Sequence, residues 1–292
     1  MFDFFSSRHK ALLKELATLK KRVKDKPSVS SKEVERIVNE RVSQIVEEKL
    51  TTFFRYQNSL AVAIASHAES PTKIFTIAHR GVKAQFFLPN GASDSLQRDI
   101  IRTSAFYQPK PLRFIETSNL LPPNPSIVDV GANIGNHTVF FGVIMKASSI
   151  HAFEPNPPIF GVLKRNVEIN GLSDVVILHQ AGAGEMAMKA RNGGHRISNS
   201  GGNSLIEDNE GDVDILRLDD CDIDHVDFLK IDVEGHGAGV IKGGWDLISK
   251  SKPLILMEVS NDEERTVLAR LSSELGYKEM KSFDSDILLS AR

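Results

Sequence analysis

The chain has 292 residues, 41% of them hydrophobic, which is enough for one large domain with a buried core and an extension. Its net charge of −2 gives no global argument for binding nucleic acid or a membrane. Because there is one cysteine, Cys221, an intramolecular disulfide is excluded. The N-terminus lacks the apolar segment of a signal peptide, and the longest uncharged apolar run, residues 56–66, is shorter than the roughly 20 residues that span a bilayer. We therefore expect a cytoplasmic protein that binds no nucleic acid and is not a membrane protein.

Residues 1–72 predict a helical extension. Leu12, Leu16, Leu19 and Val23 recur at spacings of four and three residues, a stripe typical of a coiled-coil helix. The stripe is too narrow for a helix buried in a globular core, so another apolar surface must cover it. A second copy of the chain is the simplest partner, and the chain's own domain and a membrane surface are the alternatives. We expect a homo-oligomer formed through these helices.

From residue 73 to residue 292 the pattern changes to repeated strands and helices. The chain first predicts two strands joined by a turn at Arg80 and Gly81. Apolar strands then alternate with helical segments, which predicts an α/β domain with a mostly parallel sheet covered by helices on both faces. The later strands are predicted at 126–130, 149–155, 175–181, 225–233, 253–259 and 286–292.

The strongest chemical signal lies where the first two parallel strands end. The first strand runs into the turn DVGANIG, which contains Asp129, Gly131, Asn133 and Gly135. The glycines allow a tight turn and the close approach of a ligand. The second strand ends at Glu154, whose carboxylate can accept hydrogen bonds from both hydroxyls of a ribose. This combination predicts a nucleoside-containing cofactor at the carboxyl edge of the sheet.

Two cofactor classes use this geometry. A nicotinamide site carries G-x-G-x-x-G facing a pyrophosphate, whereas this chain has D-x-G-x-N-x-G. Asp129 would repel a pyrophosphate but suits the sulfonium and ammonium groups of S-adenosylmethionine. The sequence therefore favours S-adenosylmethionine, with Gln180 and Ala181 at the end of the next strand as further cofactor residues. A glycine turn in an unrelated α/β domain is the minor alternative.

The chain resembles the FkbM-type methyltransferases over residues 83–292. The blocks IVDVGANIGNHTVF, HAFEPNPPIFGVLKRNVEING, FLKIDVEGHGAGVIKGG and ILMEV are similar to that family's in order and spacing. The resemblance implies a class I methyltransferase fold, which is Rossmann-like with seven strands, and O-methylation of a sugar, glycan or natural product. The family commonly has H-E-x-E-V-L where this chain has HGAGVI, with Gly237 and Gly239.

The acceptor side is assigned through the same resemblance, which implies that the end of the LKIDVEGH strand lies beside the transferred methyl group. Asp232, Glu234 and His236 are therefore the catalytic candidates, and histidine is a side chain suited to accepting a proton near neutral pH. Structural roles remain open, with His236 as a helix cap and Glu234 as a carboxylate facing a helix dipole. Asp232, Glu258 and Asn261 form a less favoured set of oxygen ligands for Mg²⁺.

These observations favour an S-adenosylmethionine-dependent O-methyltransferase acting on a hydroxyl of a sugar, a glycan or a natural product. The HGAGVI departure and the helical extension favour the alternative of a non-catalytic cofactor-binding or scaffolding protein. A nicotinamide oxidoreductase is less favoured because its glycine pattern is missing. Loop residues 191–210 are expected to contact the acceptor.

Overall fold

The fold is described from a computed structural model. Leu12, Leu16, Leu19 and Val23 lie outside the described part of the chain, so self-association through them stays a prediction. Ala63–Arg292 forms one compact unit. The structure describes residues 36, 47, 57, 59–192, 205–208 and 210–291.

The end of a helical segment that spans residues 59–69 packs on the strands that follow it. Nε2 of the buried His67 lies 2.8 Å from the Leu88 carbonyl oxygen, and the His67 ring meets the Phe75 ring edge to face. His67 therefore contacts the α/β domain although it precedes residue 73, where the sequence predicts that the domain begins.

The predicted hairpin is present, and two short helices separate it from the main sheet. β1 (Ile74–His79) pairs antiparallel with β2 (Val82–Phe87). Asp94 caps the first helix by accepting a hydrogen bond from the Gln97 backbone, as short polar side chains do at helix starts. The two helices are α1 (Ser95–Thr103) and α2 (Pro109–Thr117).

The remaining strands form one large sheet and one small sheet. The predicted strands at 126–130, 149–155, 225–233 and 253–259 all fall in the large sheet, where their apolar residues are buried. In chain order the strands are β3 (Ser126–Val130), β4 (Ser149–Phe153), β5 (Val176–His179), β6 (Ala181–Ala183), β7 (Met188–Asn192), β8 (Leu205–Glu207), β9 (Val213–Leu216), β10 (Phe228–Ile231), β11 (Leu254–Glu258), β12 (Lys278–Phe283) and β13 (Asp286–Ser290).

The large sheet has seven strands in the order β12-β13-β11-β10-β3-β4-β5. β13 runs antiparallel to both of its neighbours, and the other strands are parallel. The expectation of an α/β fold with a seven-stranded, mostly parallel sheet is confirmed. The edge strand β12 and the four-stranded sheet β6-β9-β7-β8 were not predicted, because their short or exposed segments carry little apolar alternation.

Helices cover both faces of the large sheet. The predicted helix over 236–250 is wrong in one respect, since it is two helices that meet at Gly244. Its glycines at 237, 239, 243 and 244 weaken a continuous helix. No helix in the described ranges is long and apolar enough to cross a membrane. After β3 the helices are α3 (Asn136–Val143), α4 (Pro157–Ile169), α5 (Gly237–Gly243), α6 (Trp245–Ser251) and α7 (Asp262–Leu275), and a 3₁₀ turn lies at Leu218–Asp220.

Candidate functional site

The glycine turn brings the end of β3 against the segment that follows β10. Gly131 has φ +76°, and a Cβ added there would lie 1.9 Å from the backbone oxygen of Asp232. Gly135, which precedes α3, has φ +84°. Both residues use the left-handed backbone region that glycine adopts without penalty. The close approach at Gly131 therefore requires glycine, and it places Asp232 beside the turn.

Glu154 holds the glycine turn through its carboxylate. Its Oε2 accepts a hydrogen bond of 3.0 Å from the backbone N–H of Asn133, and its Oε1 accepts one of 2.8 Å from that of Asn156. Burial raises the pKa of Glu154 to about 7, although the two backbone hydrogen bonds and Lys230 oppose the shift. Each oxygen keeps a further lone pair for a hydroxyl donor.

Asp129 is paired with a cation of the chain itself. It is completely buried, its Oδ1 lies 3.2 Å from Nζ of Lys230, and Thr138 donates a 2.7 Å hydrogen bond to its Oδ2. Nζ of Lys230 also donates to the Gly131 carbonyl at 2.8 Å. Burial alone would lower the pKa of Lys230, but the carboxylates of Asp129 and Asp232 outweigh it and raise that pKa. Through the hydrogen bond from Lys230 to Gly131, the buried Asp129–Lys230 pair stabilises the glycine turn.

A pocket opens over the carboxyl ends of β3, β4 and β10, where the site residues meet. Gln180 is exposed and Ala181 is buried. The residues of this segment that line the pocket are the next two, Gly182 and Ala183. Gly131, Asn133, Glu154, Asp232, Glu234 and His236 all line the pocket, as do Glu258 and Lys230. Asp129, Gly135 and Asn261, which were also predicted as site residues, are not among the residues that line it.

His137 in the first turn of α3 also lines this pocket, and the sequence pattern did not single it out as functional. Burial, with Lys230 adding to it, lowers the pKa of His137 to about 4, so its ring is neutral at physiological pH. Nε2 of the ring has no hydrogen-bond partner within the described residues. Its position two residues after Gly135, in the first turn of the helix that follows the glycine turn, is the sequence signal that marks it.

The pocket has the chemistry that a nucleoside cofactor requires. Its wall combines a glycine turn that admits close approach, a buried carboxylate able to accept hydroxyl hydrogen bonds, and a buried polar atom of His137 without a partner. Residues 129–279, more than half of the chain, match the family described as the methyltransferase FkbM domain.

The chain belongs to the FkbM methyltransferase family.

The chain is similar to several proteins named as methyltransferases. It is 31% identical to methyltransferase 1 of Beauveria bassiana, over 44% of this chain and 63% of that protein. It is 28% identical to the hexuronic acid methyltransferase AglP of Haloferax volcanii, over 50% of this chain and 60% of that protein. The chain thus spans less than two thirds of the length of these relatives.

Among solved structures, the FkbM methyltransferase of Methylobacillus flagellatus KT is similar at 19% identity and a TM-score of 0.45, covering 66% of this chain and 52% of that one. Family membership makes S-adenosylmethionine the cofactor and the class I methyltransferase fold the architecture. The residues of the pocket fit that cofactor, because the Glu154 carboxylate can accept hydrogen bonds from hydroxyls and the Gly131 turn admits close approach.

The segment after β10 carries Asp232, Glu234 and His236, the three residues predicted for the acceptor side. The Asp232 side chain is 34% exposed and lies 3.6 Å from Nζ of Lys230. Glu234 has φ +46° and is exposed, as is His236 at the start of α5. The His236 side chain makes no capping hydrogen bond in α5, so the alternative role as a side-chain cap is not found.

Three carboxylates stand side by side on adjacent strands. Glu258 at the end of β11 pairs in register with Asp286 at the start of β13, and Asp232 lies one residue beyond the Ile231–Met257 pair of β10 and β11. We call Asp232, Glu258 and Asp286 the carboxylate row. Burial first, and then the charges of Asp232 and Glu234, raise the pKa of Glu258. Burial and Asp232 likewise raise the pKa of Asp286 to about 6.

Asn261, a residue of the less favoured magnesium set, is occupied as a helix cap. Its side-chain oxygen accepts a 2.9 Å hydrogen bond from the Glu264 backbone, and its amide donates to the Gly235 carbonyl at 2.9 Å. Across the described part of the chain, no group of three His, Cys, Asp or Glu side chains is arranged to hold a metal ion.

The raised pKa of Glu154 predicts a pH-dependent affinity for the cofactor. Ribose hydroxyls donate to the charged carboxylate, so below pH 7 binding must first remove a proton. We expect the affinity for S-adenosylhomocysteine to fall by up to about tenfold for each pH unit below that point, measured by calorimetry. Glu154→Gln should bind weakly and without this slope, and a wild-type affinity that is flat with pH would contradict the assignment.

Proposed function

We propose that the chain transfers the methyl group of S-adenosylmethionine to a hydroxyl oxygen of an uncharged sugar, glycan or natural product. The observation that carries the proposal is the carboxylate row beside the cofactor pocket, because two of its members, Asp232 and Glu258, line that pocket. A hydroxyl acceptor must lose a proton, and carboxylates at this position can receive it.

When bound, S-adenosylmethionine supplies an electrophilic methyl group on a positively charged sulfur. Transfer forms one carbon–oxygen bond, breaks one sulfur–carbon bond and releases the hydroxyl proton. In this proposal Asp232 orients the hydroxyl by accepting its hydrogen bond. Glu258 takes the proton, since its raised pKa makes it a stronger base than an ordinary glutamate.

The charge of the pocket favours a neutral acceptor. Asp232, Glu234 and Glu258 all face it, and the nearest buried cation, Lys230, is paired with Asp129. A carboxylate acceptor would meet repulsion from like charges and would need no base. The two similar proteins named above include a hexuronic acid methyltransferase, which supports a carbohydrate acceptor, whereas the acidic pocket supports a hydroxyl as the methylated group.

The test is methyl transfer from radiolabelled S-adenosylmethionine to matched pairs of neutral oligosaccharides and the corresponding uronic acids. We expect label in the neutral member of a pair, in a product that resists mild alkali because it is an ether. Label that mild alkali releases would reveal an ester, and transfer confined to the uronic acids would overturn the proposal. A panel on which no saccharide is labelled, with intact cofactor binding, would favour the scaffolding alternative.

A further inference from the structure

The carboxylate row carries more negative charge than its surroundings neutralise. Asp232, Glu258 and Asp286 follow one another across β10, β11 and β13, where neighbouring strands lie about 5 Å apart. The buried cation beside them, Lys230, is nearer to Asp129 at 3.2 Å than to Asp232 at 3.6 Å. Lys230 is therefore shared between Asp129 and Asp232, and this one cation faces Asp129 and all three carboxylates of the row. Negative charge remains in excess.

Repulsion within the row adds to burial in raising the pKa of two of its carboxylates. The Asp232 charge raises the pKa of both Glu258 and Asp286 after burial has raised it. It also contributes to the raised pKa of Tyr107, which lines the same pocket. A positive group placed next to the row would relieve this repulsion, whereas a neutral group would not.

The row lies on the opposite side of β3 from Glu154. Glu154 follows β4, and the strand order β11-β10-β3-β4 puts the row beyond the glycine turn. Because Glu154, Gly131, Asp232 and Glu258 line one pocket, a cofactor whose ribose is held at Glu154 would have room to extend past the glycine turn towards the row. The charged sulfur is the part of the cofactor that lies between its ribose and its amino-acid end.

We propose that the carboxylate row distinguishes the cofactor from its spent form by the positive charge on sulfur, binding S-adenosylmethionine in preference to S-adenosylhomocysteine. The two molecules differ by one methyl group and one positive charge, so the row stabilises one and not the other. Loss of that charge on methyl transfer weakens binding of the product and promotes its exchange. This inference rests on the proposed function, since it assumes the same cofactor pocket.

The test is the ratio of the affinities for S-adenosylmethionine and S-adenosylhomocysteine, measured by calorimetry on the full chain without acceptor. Glu258→Gln and Asp286→Asn each remove one charge with little change of shape. Each should reduce the preference for S-adenosylmethionine by about three- to tenfold, the range for one charge several ångströms away at an effective dielectric constant between protein and water. The affinity for S-adenosylhomocysteine should stay within about twofold.

Asp284→Asn is the matched control. Asp284 lies two residues before Asp286, but its side chain is 74% exposed and pairs with Lys110, so solvent screens its charge. We expect no change of the ratio in this variant. An unchanged ratio in both row variants, or an equal change in Asp284→Asn, overturns the inference. A wild-type chain that binds neither molecule would instead overturn the proposed function, and melting temperatures near that of the wild type confirm that the variants are folded.

Discussion

Gly131→Ala should unfold or severely weaken the cofactor domain. The added Cβ would lie 1.9 Å from the Asp232 backbone oxygen at φ +76°, so both the turn and the segment after β10 would have to move. The left-handed backbone costs an alanine about 1–2 kcal/mol, and the clash with backbone adds to it. We expect a loss of at least about 3 kcal/mol in the free energy of unfolding and, in any folded fraction, a loss of more than about a hundredfold in affinity for S-adenosylhomocysteine.

Gly171→Ala is the control for that experiment. Gly171 also has a positive φ, +66°, but a Cβ added there meets nothing within 4 Å. It should therefore cost only the backbone strain of about 1–2 kcal/mol and leave the cofactor affinity unchanged. Chemical denaturation of both variants separates the strain from the clash. If the two variants lost equal stability, the contact between Gly131 and Asp232 would have no energetic weight.

The sequence predicted the parts of the fold that depend on local pattern. The buried strands ending at Val130 and Phe153, the glycine turn and the helix after it all follow from apolar runs and turn residues. Glu154 was predicted to face the cofactor because its distance from the glycine turn is fixed by one strand–helix–strand unit. These are short-range relations, which a single sequence records directly.

The features that the sequence did not predict depend on pairing between distant strands. Asp286 is 28 residues from Glu258 and faces it only because β13 runs antiparallel into the sheet. The Asp129–Lys230 pair likewise joins residues about a hundred positions apart. Asp129 alone suggested an anion facing the ligand, and only the parallel register of β3 and β10 reveals that its charge is paired. A single helix was predicted from HGAGVI onwards because hydrophobic periodicity takes no account of how strongly four glycines weaken a helix.

Glu258→Gln should lower kcat for methyl transfer by about a hundredfold or more, the usual contribution of a general base. Glu258 lines the pocket, and its raised pKa predicts that kcat rises with pH through a pKa above that of an ordinary glutamate. The variant should lose this rise while keeping its affinity for S-adenosylhomocysteine, because the glutamine retains the shape of the side chain. His236→Ala, which removes an exposed side chain, should keep both kcat and the pH profile. If His236→Ala abolished the pH dependence and Glu258→Gln retained it, the proton would pass to the histidine instead, and the exposed start of α5 would be the acceptor-side base.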